Sequence, residues 1–522
     1  MPDEDPLRHE APEAAGIQLG GKAELLVVHL ALAGDEGVVV LLDRLRAAGA
    51  DFTRAYCPNP TCTPTRASII TGMYPAWHGA WALGTKLMED VPVVGDVFRE
   101  AGYDASLIGK AHFQPLAAGD TPEEASIERH PYLRDRDFWR SFNDQRTPWY
   151  GFNHVETCRN HTDEAHAGGH YGLWMEDKGF AEWENHFESI PGSPEPRNGP
   201  QHHTWTLPED YHYSVWTADR TIASIERATA EGKPFFCWSS FHDPHPSYLV
   251  SKPWDTMYGP ADMPIGTLEE GELDKMPPPH QMTQDPDADW SVFQEPGGHS
   301  VHGYQHHGYD EETLRADMAI YYGMTSLMDR EIGRILDHLD ATGQAENTLI
   351  VFTTDHGHYI GHHGLKAKGA FHYEEGIKLP FIARWPGRIE AGATIGALQS
   401  LVDLPQTFLA ACGIAAPGQM QGVDQLAVWT GERGSARDVA ICEFRHQPTK
   451  VHLRTYITER YKLTVYRDRD WGELFDLVED PGERCNRFDD PDYEAVKREL
   501  MAASINEELR REPTPMPRVM GA

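Results

Sequence analysis

The sequence predicts an α/β protein, on three observations. Glu24–Leu32 (ELLVVHLAL), Pro234–Phe241 (PFFCWSSF) and Thr348–Thr354 (TLIVFTT) are almost continuously apolar, as strands buried on both faces of a doubly wound sheet must be. Helical stretches alternate with these runs, which is the order of an α/β architecture. From about residue 430 the pattern changes to short strand-like segments separated by turns, which suits a small antiparallel sheet.

In chain order, residues 1–22 read as a loose leader and Glu24–Leu32 as a central strand. Leu41–Ala50 reads as a short helix ending near Gly49. Cys62–Gly72 follows a Pro-rich loop, and its small residues Ala67, Ser68 and Thr71 suit the start of a helix, whose free N–H groups favour an anion. Val94–Gly102 is a helix closed by Gly102, and Tyr103–Ile108 a strand that delivers Gly109-Lys110-Ala111-His112. Residues 115–210 lack periodicity and are rich in Trp, His, Pro and Gly, so long surface loops are expected there. Tyr211–Gly232 is a helix, followed by the strand Pro234–Phe241. After a Pro- and His-rich excursion, Thr313–Thr342 is the clearest helix: Ile320, Met324, Leu327, Met328, Ile332, Ile335, Leu336 and Leu339 trace one stripe. Asp438–Phe444, His452–Thr458, Tyr461–Tyr466 and Glu473–Asp476 are the short strands, closed by a helix over Tyr493–Arg510.

The 522 residues include 46 basic and 81 acidic side chains, a net charge of −35. That balance argues against a nucleic-acid partner, which needs a basic face to displace counterions, and leaves room for a locally positive pocket. The seven cysteines are scattered and odd in number, with no CxxC pair, so neither a disulfide framework nor a zinc cluster is expected. The first residues, MPDEDPLRHEAPEAAG, are acidic where a secretory signal is basic, and Leu25–Leu32 is too short to span a bilayer. A cytoplasmic protein without a membrane partner is the expectation, and nothing in the sequence fixes its oligomeric state.

The chemistry is concentrated in Tyr56–Trp81, YCPNPTCTPTRASIITGMYPAWHGAW. An isolated Cys beside a Pro-containing turn reads as a small buried hydrophobe. Here Cys62-Thr63-Pro64-Thr65-Arg66 is followed by Thr71-Gly72, Tyr74-Pro75 and His78-Gly79, and the whole resembles the sulfatase signature. The resemblance, which runs from about Asp43 to about Leu500, implies an alkaline-phosphatase-like fold: a large mixed central sheet flanked by helices, with a smaller C-terminal antiparallel sheet. It divides the chain into the leader 1–22, a catalytic domain 23–430 and a C-terminal subdomain 431–522. It also implies that a separate maturation enzyme oxidises Cys62 to formylglycine, whose hydrate attacks a small-molecule sulfate ester.

Further motifs carry the resemblance. Gly109-Lys110-Ala111-His112 looks like the family's GKxH element, with Lys110 and His112 expected on one side of an extended segment. The resemblance implies that Lys110 contacts nucleophile and sulfate, and that His112 is the base that regenerates the aldehyde. His245, in His242-Asp243-Pro244-His245-Pro246, matches the histidine at the leaving oxygen, with His242 as a neighbour behind it. Lys368, in Ala367-Lys368-Gly369, matches the second sulfate-binding lysine, and the leaving alcohol takes its proton from His245 or Lys368. Arg66 would fix the hydrated aldehyde through its rigid guanidinium fork. Asp355-His356 matches a metal-binding pair, which with residue 62 implies a divalent ion: calcium, with manganese or zinc as alternatives.

One motif departs from the family. Where sulfatases carry two acidic or amide metal ligands after the first strand, this chain has His29-Leu30-Ala31. Leu and Ala cannot bind a hard cation, and Asp35-Glu36 lies nearby. The metal site is then rebuilt, weakened or lost through a damaged N-terminus. Beside a sulfatase, the sequence is therefore compatible with an impaired relative that only binds sulfated or phosphorylated ligands. A phosphonate or phosphate ester hydrolase of the same superfamily is a further alternative.

Overall fold

The computed structural model describes residues 22–30, 40–115, 121, 125–129, 132–159, 168–187, 200–296, 301–304 and 308–512. Its centre is an eight-stranded mixed sheet. In chain order the strands are β1 (Glu24–Leu30), β2 (Ala50–Phe52), β3 (Asp104–Lys110), β4 (His154–Cys158), β5 (Phe235–Ser240), β6 (Thr348–Thr354), β7 (Phe381–Arg384) and β8 (Ala393–Ile395), arranged β8-β2-β7-β6-β1-β5-β3-β4. The five strands from β6 to β4 are parallel, and β7 runs antiparallel to both β6 and β2. The register pairs Glu24 with Thr348 and Leu25 with Phe236, so the C-terminal ends of β1, β5 and β6 finish side by side. That common edge is where ligands sit in sheets of this kind.

Both faces of the sheet are covered, one of them in part by Leu42 and Leu45 of α1 (Val40–Ala48), which explains why the central strands lack alternation. Leu25, Val27, Trp238 and Val351 face a core completed by Ile69 and Ile70 of α2 (Cys62–Thr71), Phe98 of α3 (Val94–Glu100) and Phe408. The intervening Leu26, Val28, Cys237, Ile350 and Phe352 face Ile225 and Ala228 of α4 (Tyr213–Ala230) and Met328, Ile332, Ile335 and Leu339 of α5 (Glu311–Ala341). The long helix starts where Asp310 accepts a hydrogen bond from the Thr313 N–H at 2.8 Å, an N-cap just ahead of the predicted start.

The described part of residues 115–210 is not the surface loops the sequence predicts. It contains the edge strand β4 and a helix over Gly169–Asp177, and its Tyr171, Trp183 and Trp205 pack with Trp216 of α4. The elements are too short to show a period, and β4 (HVETC) carries Glu156, held by a bidentate pair. Arg220 of α4 donates to its two oxygens at 2.7 and 2.8 Å, and His154 lies 3.0 Å away. Burial alone would raise this carboxyl, but His154 and Arg220 hold it at about 2. A folded-state value below the unfolded one gives stability that is full above the ordinary range, near 4.5, and fades as pH falls towards 2. Glu156→Gln is expected to cost about 2 kcal/mol at pH 7, and the gap to the parent should narrow below pH 4.5 and close as pH reaches about 2 in denaturant titrations.

The C-terminal segments form a four-stranded antiparallel sheet of β9 (Ala440–Gln447), β10 (Val451–Ile457), β11 (Tyr461–Tyr466) and β12 (Gly472–Asp476). Phe444, Leu453 and Phe475 pack against Tyr359, Leu365, Phe371 and Tyr373, so this sheet braces the loop that holds Lys368. Leu463 and Leu474 pack instead with Leu500 of the closing helix Glu494–Arg510. Among the described residues no helix is long and apolar enough to cross a membrane.

Candidate active site

Cys62 is the first residue of α2, fully buried, with Thr61 extended before it. Three nitrogen atoms close on its sulfur: Lys368 Nζ at 3.0 Å, His356 Nε2 at 3.2 Å and Lys110 Nζ at 3.7 Å. His112 and His245 also interact with the group at position 62. Burial would raise the Cys62 thiol, yet Lys110, Lys368 and His356 overcome it and hold the group well below its ordinary range. Whatever stands at position 62 is thus surrounded by groups that stabilise negative charge.

The fold delivers these groups from four segments, the ends of β3, β5 and β6 with the turns that follow them, and the loop that holds Lys368. Lys110 is the last residue of β3. Gly109 before it has φ 101°, and a Cβ there would stand 1.9 Å from the Ser240 carbonyl oxygen, so only glycine lets β3 lie this close to β5. His112 does not reach the thiol by strand alternation, as the sequence reading expects. The chain turns into the left-handed region at His112 (φ 58°), and Glu128 holds that turn, its two oxygens accepting the N–H groups of His112 at 2.7 Å and Gln114 at 2.8 Å. Lys368 lies beyond Lys366, which ion-pairs with Asp317 of α5 at 2.5 Å. Its ammonium also donates to His245 Nε2 at 3.2 Å and His356 Nε2 at 3.1 Å, so it is the hub of the cluster.

Arg66 lies behind this layer. Its guanidinium donates to the Ala111 carbonyl at 2.7 Å, to the Lys110 carbonyl and to Ser240 Oγ, and pairs with Asp355 at 3.4 Å. These contacts tie the ends of β3, β5 and β6 together. His242 points away: its Nε2 donates to the Arg159 carbonyl at 2.8 Å. Between the two histidines Asp243 is buried, accepting from Tyr213 Oη at 2.5 Å and from Ser214 Oγ. Burial raises its carboxyl to about 7, against the hydrogen bonds from Ser214 and Tyr213.

Cys62, Asp355 and His356 can each offer one ligand atom, all within 4.8 Å of one another. His356 Nδ1 donates to the Gly357 carbonyl at 2.8 Å, which leaves the Nε2 lone pair facing the cluster. These three residues fit a divalent ion in kind. The positions of the departed motif do not enter, because residues 31–39, with Asp35 and Glu36, and the side chains of His29 and Leu30 lie outside the described residues.

Sequence reasoning missed Glu128, Ser240 and His358. His358 is buried with Nε2 2.8 Å from Tyr248 Oη, and its place two residues after His356 was the available signal. Glu128 sits on a short stretch with no motif around it, and nothing in the sequence marks it.

A large mixed sheet with cationic and metal-ligating groups gathered at its strand ends defines an alkaline-phosphatase-like protein. The sulfatase family model matches residues 27–414, the model of the N-sulphoglucosamine sulphohydrolase C-terminal region matches residues 361–511, and the chain belongs to the sulfatase family. Relatives include the uncharacterized sulfatase YidJ of Escherichia coli, 24% identical over 89% of this chain and 81% of its own. The multifunctional alkaline phosphatase superfamily protein PehA of Trinickia caryophylli is 26% identical over 89% and 88%. Among solved structures, the phosphonate monoester hydrolase of Silicibacter pomeroyi shares the fold, with a TM-score of 0.72 at 22% identity over 95% of this chain and 96% of that one.

Proposed function

We propose that this chain is a sulfatase that hydrolyses the sulfate ester of a small molecule, with formylglycine at position 62 as the reacting residue. The observation that carries this reading is the convergence of Lys110, Lys368 and His356 on the Cys62 sulfur. Oxidised by a maturation enzyme, residue 62 supplies as its hydrate the hydroxyl that attacks sulfur. Lys110 and Lys368 offset the charge on the sulfuryl oxygens, and fixed donors of this kind each contribute about 3 kcal/mol to a transition state. Splitting the transfer at a covalent stage divides one hard step into two, and His112 is placed to take the proton in the second.

The hydrogen bonds favour one of the two proton donors that the sequence leaves open. His245 Nδ1–H donates to the Pro246 carbonyl, so its Nε2 carries a lone pair and accepts from Lys368. The ammonium of Lys368 is therefore the proton source for the leaving alcohol, directly or relayed through His245 Nε2. A divalent ion held by Asp355, His356 and residue 62 would supply Lewis-acid polarisation. These donors, one carboxylate, one imidazole and residue 62, suit zinc or manganese better than calcium, which takes about six to eight oxygens.

The test is turnover by protein co-expressed with a maturase. 4-Nitrophenyl sulfate should be hydrolysed with kcat/KM above that for the 4-nitrophenyl ester of phenylphosphonate. The reverse order would make the chain a phosphonate hydrolase, and binding without turnover of either ester would make it an impaired relative.

A further inference from the structure

The geometry points to an anion subsite at Arg159, one strand away from Lys110, so that the alcohol released from the ester carries a second acidic function, a carboxylate or a further sulfate. In the register of the sheet Lys110 of β3 lies opposite Cys158, the last residue of β4. Neighbouring strands are about 4.8 Å apart, so Arg159 leaves the sheet beside the lysine that meets the Cys62 sulfur. Its backbone is fixed there, the carbonyl accepting from His242 three residues ahead of His245.

The Arg159 side chain is out of keeping with its burial. The residue is 7% exposed and its Nε is buried without a hydrogen-bond partner. Among the described residues no carboxylate lies within ion-pair distance of it. The other deeply buried guanidiniums are matched: Arg66 by Asp355, Arg437 by Asp403, and Arg511 by Glu443 and Glu508. Glu128 exerts a field on Arg159, but both its oxygens are already taken by the N–H groups of His112 and Gln114. A guanidinium keeps its proton under ordinary conditions, and a buried charge without a partner is unfavourable. An oxyanion on the substrate would supply the missing partner with the fork geometry that arginine matches.

This subsite rests on position 62 as the reaction centre, so the test reads binding in a Cys62→Ala protein, independent of turnover. The probes are phenyl sulfate, its 3- and 4-carboxy derivatives and benzene-1,4-diyl bis-sulfate, titrated calorimetrically. At least one acidic probe should bind about tenfold tighter than phenyl sulfate, and whether a carboxylate or the bis-sulfate is preferred identifies the group. Adding Arg159→Gln should abolish the preference and leave phenyl sulfate unchanged, while Arg159→Lys, which keeps the charge, should retain part of it. Equal affinities in the Cys62→Ala parent, or a preference that survives Arg159→Gln, would overturn the proposal. Failed turnover in the matured parent would overturn the sulfatase reading alone.

Discussion

Replacing Cys62 by Ala is expected to lower kcat for 4-nitrophenyl sulfate by at least about ten-thousand-fold, the scale on which loss of a covalent nucleophile registers. The cluster is built around this side chain: Lys110, His356 and Lys368 contact its sulfur, and His112 and His245 interact with it. An alanine removes one small buried group and keeps α2 intact, so the thermal midpoint should change little. Residual turnover would report what the lysines contribute by binding and orientation alone. Activity within about tenfold of the parent would move the nucleophile elsewhere.

Lys368→Ala is expected to lower kcat/KM by about a thousand-fold, because it removes both a sulfuryl-oxygen donor and the proton source. Its ammonium lies 3.0 Å from the Cys62 sulfur, 3.2 Å from His245 Nε2 and 3.1 Å from His356 Nε2, three contacts that no neighbour can replace. The loss should be smaller for aryl esters with good leaving groups, which need no proton, than for alkyl esters. Lys368→Arg should not rescue it, since a planar guanidinium cannot occupy the position of a compact ammonium. A loss of equal size across leaving groups would leave Lys368 the electrostatic role only.

How much of this was legible in the sequence depends on what each element buries. β1, β5 and β6 are covered on both faces and therefore appear as apolar runs, and α5 shows its stripe because one side packs on the sheet. β4 is a five-residue edge strand whose Glu156 is satisfied by Arg220, so its sequence carries neither signal. The short β2, β7 and β8 were missed for the same want of length. The site was legible to the extent that motifs carry it, since Cys62, Lys110, His112, His245, Asp355, His356 and Lys368 are drawn together. Their mutual contacts were not, because they follow from where three strand ends, the start of α2 and the loop of Lys368 meet. His112 is aimed by a left-handed turn braced from Glu128, sixteen residues away, and no period encodes that. Arg66 also ties strand ends to Asp355 through its contacts with the Ala111 carbonyl and that carboxylate, and no motif encodes those contacts.

The central claim is that residue 62 is converted from a thiol to an aldehyde and reacts as such. Peptide mass spectrometry of the segment spanning Cys62, after co-expression with a formylglycine-generating enzyme, tests it most directly. The account predicts a peptide in which the cysteine CH2–SH has become CHO, with a yield that tracks specific activity. A peptide carrying only unmodified cysteine in protein that turns over sulfate esters would contradict it.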